Sequence, residues 1–327
     1  MHQHAVDDGA APSAAAAPAA AAGTAPTPVK RPPRARRIRR DDVVKFLFIA
    51  PAAVYVVAFF GYPVVKNLIM GFQDYTTQTF FTGEAPWVGF GNYVTAMSSQ
   101  LFVPALWNTA VFTVGSIAGQ FAIGMALAVF FHRKFPLSGF LRAILLLPWL
   151  LPLIVASATW RSIMDLDGGV LNRGLEAVGL SAIPWLTSPD YALLAVILVN
   201  IWVGIPFNVT ILYGGLQEIP EEQYEAAALD GATGWKAFWH ITLPNLKGVI
   251  SVVLVLGVVY TLKVIDIILG LTNGGPANST QTIAIRSYQS SFVDFEFGVG
   301  AAFSNVLILI SLVFALIYLR STRRQAN

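Results

Sequence analysis

Few residues in this sequence are placed to do chemistry, and those that are lie in unusual surroundings. Lys263 and Asp266 stand three positions apart inside a long apolar run, where an uncompensated charge is expensive. On a continuous helix an i,i+3 pair of opposite sign shares one face and can neutralise itself. The spacing therefore predicts a structural ion pair, with a substrate contact or a proton relay as the other readings. Four histidines (His2, His4, His132 and His240) are too scattered to hold a metal, and the absence of cysteine excludes disulfides, thiolate metal sites and cysteine nucleophiles. No close His/Asp/Glu/Ser constellation serves an integral membrane enzyme, so no catalytic residue and no metal ligand is assigned. The chain also lacks a G-x-x-x-x-G-K-S/T phosphate loop, so any ATP it depends on is bound and hydrolysed elsewhere.

One hydrophilic segment, 217–247, carries docking chemistry instead. Ile219 and Pro220 followed by Glu221 and Glu222 make a helix start, with proline and acids in the first turn. Glu225 through Leu229 are strong helix formers, and Gly231 and Gly234 end that helix. A second short helix from Trp235 presents Trp235, Phe238 and Trp239 before Pro244. The expected element is a compact amphipathic helical hairpin. Small residues at Ala226, Ala227 and Gly231 permit close approach of another helix, and Glu225 and Asp230 can meet basic or amide groups on a partner.

The elements that must carry these residues follow from composition. The chain has 327 residues, 55% hydrophobic and 12% charged, with a mean hydropathy of +0.62. Water-soluble domains carry about 25% charged residues, so this chain is predicted to live in a membrane. Six segments, near 44–70, 106–131, 141–164, 191–216, 249–270 and 299–319, are long and apolar enough to cross a bilayer. Prolines and glycines within them (Pro51, Pro63, Pro148, Pro152, Gly204, Pro206) are expected to be accommodated by neighbouring helices. Continuous rather than alternating apolarity excludes a β-barrel. The fold class predicted is all-α, a polytopic bundle of six spans.

Residues 1–29 are Ala/Pro-rich and too poor in large apolar side chains to fold, and they lack the features of a cleaved signal peptide. Eight of the 21 lysines and arginines fall between Lys30 and Lys45. Beside a membrane span, that run reads as a topology signal rather than as a nucleic-acid arm. With Arg133, Lys134, Arg142, Lys236, Lys247, Arg320, Arg323 and Arg324 on the same side, only Arg161, Arg173 and Arg286 fall opposite. That asymmetry places both termini in the cytoplasm. The organisation expected is a tail over 1–43, a transmembrane domain over 44–320 and a cytoplasmic tail over 321–327. Trp160 and Arg161 are expected to anchor at the outer interface, and Asn273, Gly274, Gly275 and Pro276 to form a turn at the outer mouth.

The hairpin carries a resemblance. Glu225, Ala226 and Ala227, then Asp230 and Gly231, then Ile241, Leu243 and Pro244 resemble the EAA loop of membrane subunits of binding-protein-dependent ABC importers. In that family the loop is the coupling helix that docks in a cleft of the ATP-binding subunit. Two further stretches, around Asn200, Trp202, Gly204, Pro206 and Phe207 and around Val264, Asp266 and Thr272 to Pro276, look like the carbohydrate-importing branch. The resemblance covers about 44–320 and is to the six-span form of glycerol-phosphate and trehalose permeases, without the extra amino-terminal spans and outer domain of the larger maltose permease subunit.

The resemblance implies a sugar pathway through Asn200, Val203, Gly204 and Phe207 on the fourth span and Gly257, Thr261 and Val264 on the fifth. Asn200 can exchange hydrogen bonds with a hydroxyl or with another helix. Phe207 can stack on a pyranose, and Gly204 can equally serve close helix packing. Gly257 and Val264 depart from the more polar maltose pattern, which puts maltose itself in doubt. The implied partners are a second permease in a heterodimer, two ATP-binding subunits holding ATP and Mg, an extracytoplasmic sugar-binding protein, the sugar, and the lipids of a bacterial cytoplasmic membrane. No nucleic acid and no cofactor on this chain are expected. A permease for glycerol phosphate or another polyol derivative is the alternative, with Lys263 as its cation. A membrane enzyme and a secondary transporter are the readings from other classes, the latter weakened by the lack of an obvious inverted repeat.

Overall fold

The computed structural model describes residues 40–325 apart from residue 134. Most of the tail expected over 1–43 therefore lies outside the described residues. The chain divides into two compact units. The first, ending at Val56, contributes one described helix, α1 (Arg40–Val56), with Pro51 inside it. The second opens with a π-turn (Val57–Gly61) and α2 (Tyr62–Met70), followed by two short helices, α3 (Thr77–Thr82) and α4 (Gly91–Ser98). Then come the long α5 (Phe102–His132), the pieces α6 (Ser138–Leu145), α7 (Leu147–Leu150) and α8 (Leu153–Ile163), and the short α9 (Val170–Ala177). A second long helix, α10 (Pro189–Gln217), leads to α11 (Glu221–Leu229), α12 (Trp235–Ala237), a π-turn (Phe238–Thr242) and α13 (Leu243–Asn245). The remainder is α14 (Lys247–Leu262), α15 (Asp266–Leu271), α16 (Ile283–Phe292) and α17 (Phe297–Gln325). Among the described residues there is no strand, only isolated bridges such as Gln73 with Trp87.

Four helical stretches are long and apolar enough to cross a membrane: Leu47–Met70, Phe102–His132, Pro189–Gln217 and Phe297–Leu316. Two bent pairs bring the number to six, Ser138–Leu150 with Leu153–Ile163 at 99° and Trp235–Asn245 with Lys247–Leu262 at 71°. The all-α expectation is met, but two spans differ from it. The third is not continuous over 141–164. Pro152 forces the preceding residue out of the helical region, and Leu151 is extended at φ −75°, ψ 138°. The fifth does not run to 270. Its helix stops at Leu262, and Lys263, Val264 and Ile265 separate it from α15. At the other end of the chain α17 continues to Gln325, past the boundary placed at 320.

The most extensive helix contact joins α5 and α10, and it depends on glycine. A Cβ at Gly119 would overlap the side chain of Ile201, and one at Gly124 would lie 2.6 Å from Asn208 Cβ. Removing side chains along α5 lets the two backbones approach, as in other membrane helix pairs. Around this seam Phe112, Met164, Val196, Val199, Ile267 and Ile268 form the main core. Elsewhere amides do the joining. Asn67 on α2 donates to Ser304 Oγ at 2.8 Å and to Asn305 Oδ1 at 2.9 Å, while Asn305 donates to Tyr93 at 2.8 Å. Large apolar side chains such as Val114, Ile154 and Leu309 point outward, a pattern suited to lipid or a second subunit and not to water.

We expect Gly119→Ala to lower stability by about 1–3 kcal/mol, the usual range for overpacking, because Ile201 must leave its rotamer. Gly139→Ala on α6 meets nothing within 4 Å and should be neutral or slightly stabilising. Thermal unfolding of the two variants in detergent checks this; equal midpoints would show that the α5–α10 seam is loose.

Candidate functional site

The seven residues assigned to a pathway from the fourth and fifth spans come together. Asn200, Val203, Gly204, Phe207, Gly257, Thr261 and Val264 line one cavity of about 600 Å³, bounded also by Trp149, Tyr260, Lys263 and Asp266. Each wall has a local reason. Asn200, Val203, Gly204 and Phe207 are spaced 3, 1 and 3 apart on α10, so they share one face of that helix. Gly257, Thr261 and Val264 repeat the pattern on α14 and at its broken end. The break at Lys263 to Ile265 then turns the chain across the cavity instead of carrying it onward, which places Lys263 and Asp266 in the lining.

Aromatic rings supply much of the wall. Phe207 lies between Trp149, at 6.2 Å between centroids, and Tyr260, at 5.8 Å and nearly perpendicular. Polar groups are sparse. Thr261 and Asn200 are buried, and Asn200 Nδ2 has no hydrogen-bond partner among the described residues. An unpaired buried amide costs about 1–3 kcal/mol, so the site is suited to a ligand that carries hydroxyls on an apolar ring. The packing role of Gly204 is also real, because a Cβ there would overlap the carboxamide of Gln120.

The ion pair expected between Lys263 and Asp266 is not what the structure gives. Their i,i+3 spacing brings them together only on a continuous helix, and the helix ends before Lys263. Lys263 instead holds its ammonium over the Tyr260 ring, 4.9 Å from the centroid, a cation–π contact. Trp160, expected at the outer interface, is half-buried and packs edge-on against Trp202 at 5.5 Å. Asn273 to Pro276 do form a turn, with Asn273 and Gly274 at positive φ, in a loop tied down where Asn108 donates to Asn278 O and Gln281 O.

Besides aliphatic side chains such as Leu151 and Leu153, three aromatic or amide lining residues escaped the sequence reading. Tyr260 lies on the face already marked by Gly257 and Val264, so spacing alone pointed to it. Gln120 is an amide in an otherwise apolar stretch, which is a signal in itself. Trp149 precedes the Pro152 break, and no helical period connects it to the site.

The 217–247 segment folds as the expected hairpin. Pro220 precedes α11 with Glu221 and Glu222 in its first turn. Gly231 closes it at φ 76°, with Ala232 N donating to Ala227 O at 2.8 Å and Gly231 N to Ala228 O at 3.1 Å, a left-handed helix stop that glycine favours. The second arm is braced to the first. Tyr224 and Thr242 hydroxyls are 3.0 Å apart, and Asn245 donates to Gln223 Oε1 at 2.9 Å. Trp235 stacks on Phe238, and Trp239 meets both rings edge-on. Ala227 is buried, and Ile241 and Leu243 are half-buried, whereas Glu225, Ala226, Asp230, Gly231 and Pro244 are exposed. Leu229 is 91% exposed at the tip. So the motif splits into an inner part that holds the hairpin and an outer part that is free to be covered.

A bundle with up to six crossings, a cavity between two of them and a braced hairpin joining those same two is the architecture of a membrane transport permease. The chain belongs to the binding-protein-dependent transport system inner membrane component family, whose model matches residues 120–327. It is 33% identical to the trehalose/maltose transport system permease protein MalF of Thermococcus litoralis, over 87% of this chain and 95% of that one. It is 32% identical to the sulfoquinovosyl glycerol transport system permease protein SmoG of Agrobacterium fabrum, over 86% and 91%. The lactose transport system permease protein LacF of Rhizobium radiobacter is 31% identical over 88% and 96%. The fold matches a chain of a bacterial ABC transporter involved in import of the acidic polysaccharide alginate, with a TM-score of 0.75, 24% identity and coverage of 87% and 96%.

Proposed function

We propose that this chain is one half of the transmembrane pathway of an ATP-driven sugar importer in a bacterial cytoplasmic membrane. The observation that carries the reading is the cavity: an aromatic trio with a few amide and hydroxyl groups, lined by every α10 and α14 residue assigned to substrate. Relatives named for trehalose, maltose, sulfoquinovosyl glycerol and lactose support a saccharide or glycoside as the cargo. The lining carries one cation and one anion, Lys263 and Asp266, which suits a neutral sugar better than a phosphorylated polyol.

The partners of this reading are a second permease, two ATP-binding subunits that hold ATP and Mg, and an extracytoplasmic sugar-binding protein. The exposed Glu225, Ala226, Leu229 and Asp230 would seat in the ATP-binding subunit, and both termini would lie on that same cytoplasmic side, in keeping with the lysine and arginine asymmetry. Closure of the motor dimer would then rock α10 and α14, which the hairpin joins, and open the cavity outward to the docked sugar-binding protein.

The test is uptake of labelled maltose, trehalose and lactose into cells that carry the whole operon, with this chain present or deleted. Uptake of at least one sugar that needs both this chain and ATP supports the reading. Uptake unchanged by the deletion, or labelled glycerol 3-phosphate as the only cargo, contradicts it.

A further inference from the structure

Gln120 is held by one end only. Its Nε2 donates to the carbonyl oxygen of Asn200 at 2.9 Å, a bond from α5 to α10. Only an N–H can face a carbonyl, so this contact fixes which end of the carboxamide is which. Gly204 makes the berth: the Cδ, Nε2 and Oε1 of Gln120 all lie where a Cβ at 204 would stand. The glutamine is 7% exposed and lines the same cavity as Asn200 and Phe207.

That bond uses one of the two N–H groups and leaves Oε1, the only acceptor on the side chain, unengaged. The one side-chain hydrogen bond of Gln120 is that from Nε2, and Oε1 takes part in none among the described residues. Beside it the buried Asn200 Nδ2 has no partner among the described residues, and a buried amide group without a partner in a folded protein asks for an explanation, a bound ligand or water being the usual one. The wall thus offers an acceptor from α5 and a donor from α10, in a cavity whose remaining surface is mostly aromatic and aliphatic. A hydroxyl both gives and takes a hydrogen bond, and neighbouring hydroxyls on a pyranose can meet both groups at once.

We propose that Gln120 is a further specificity-determining residue of the pathway, its Oε1 accepting a hydrogen bond from a sugar hydroxyl in transit. This rests on the sugar-import reading above. It assigns to α5 a contact that motif spacing on α10 and α14 does not supply. It also gives Gly204 a purpose, since the glycine admits the glutamine that does the selecting.

The experiment uses the complete importer in proteoliposomes, with maltose, trehalose and lactose and their monodeoxy derivatives as probes. In the wild type, one derivative of the transported disaccharide should cross about tenfold to hundredfold less efficiently than the parent sugar, the range expected for one lost hydrogen bond in a buried site. Gln120→Leu should lower transport of the parent by a similar factor and remove the difference between the parent and that derivative. The binding protein is the same in both, so its own preferences cancel in the ratio. Gly204→Ala keeps the glutamine but occupies its berth, and it should produce the same loss of discrimination. A uniform drop for the parent and every derivative, in whichever variant assembles, would make Gln120 a packing residue and overturn the proposal. So would discrimination that is unchanged. Should the wild type transport none of the three sugars, the sugar reading itself fails, and this inference with it.

Discussion

Gly231→Pro is expected to abolish uptake. Gly231 sits at φ 76° and its N–H donates to Ala228 O. Proline fixes φ near −65° and has no N–H, so the substitution is incompatible with the native backbone twice over. The stop of α11 would have to reopen, and with it the register that brings Tyr224 onto Thr242 and Asn245 onto Gln223. The exposed face of Glu225, Ala226, Leu229 and Asp230 would then no longer match its partner. The damage is local, because the hairpin lies outside the α5–α10 seam, so the permease should still insert in the membrane. Glu225→Ala removes one exposed side chain without touching the backbone and should act in the same direction through the interface alone. Co-purification of the ATP-binding subunit with each variant, alongside uptake, is the measurement. Wild-type association together with wild-type transport would remove the coupling role from this segment.

The second large effect is expected at Asn200. Asn200→Leu deletes an amide whose Nδ2 has no partner within the described residues, so little internal bonding is lost. A sugar hydroxyl would be left unpaired in the cavity, at about 1–3 kcal/mol, which is roughly a tenfold to hundredfold fall in transport efficiency. The backbone carbonyl that receives Gln120 is retained, so the contact from α5 survives the change. Phe207→Ala is a less selective probe, since it removes a stacking surface and also the ring between Trp149 and Tyr260. Uptake by purified, assembled complexes separates the readings. If Asn200→Leu fails to assemble, the amide is a contact between helices and not a contact to cargo.

What could be read from the sequence divides along physical lines. The 217–247 hairpin was legible almost to the residue, because proline, acids and glycines mark helix ends by local chemistry that needs no tertiary context. The α10 and α14 walls were legible through helical spacing. The broken third and fifth spans were not. Apolar composition measures only whether a segment is long enough to cross a membrane, and it is blind to a turn such as Leu151 to Pro152 inside that length. The same blindness produced the Lys263–Asp266 pairing: the spacing was read on a helix that ends at Leu262. Gln120 and Trp149 lie outside the matched motifs, and only packing brings them to the cavity.

On the proposed reading, the cavity around Asn200 and Thr261 is the route of the sugar. The chain contains no cysteine, so Val203→Cys creates a single thiol in the cavity lining, and its rate of modification by a small hydrophilic thiol reagent can be followed in the assembled importer. The thiol is expected to react, at a rate that changes between ATP-bound and nucleotide-free complexes and that falls when the transported sugar is delivered by its binding protein. A thiol that is unreactive in every nucleotide state, or one that reacts at a rate indifferent to the sugar, would show that the cargo passes elsewhere.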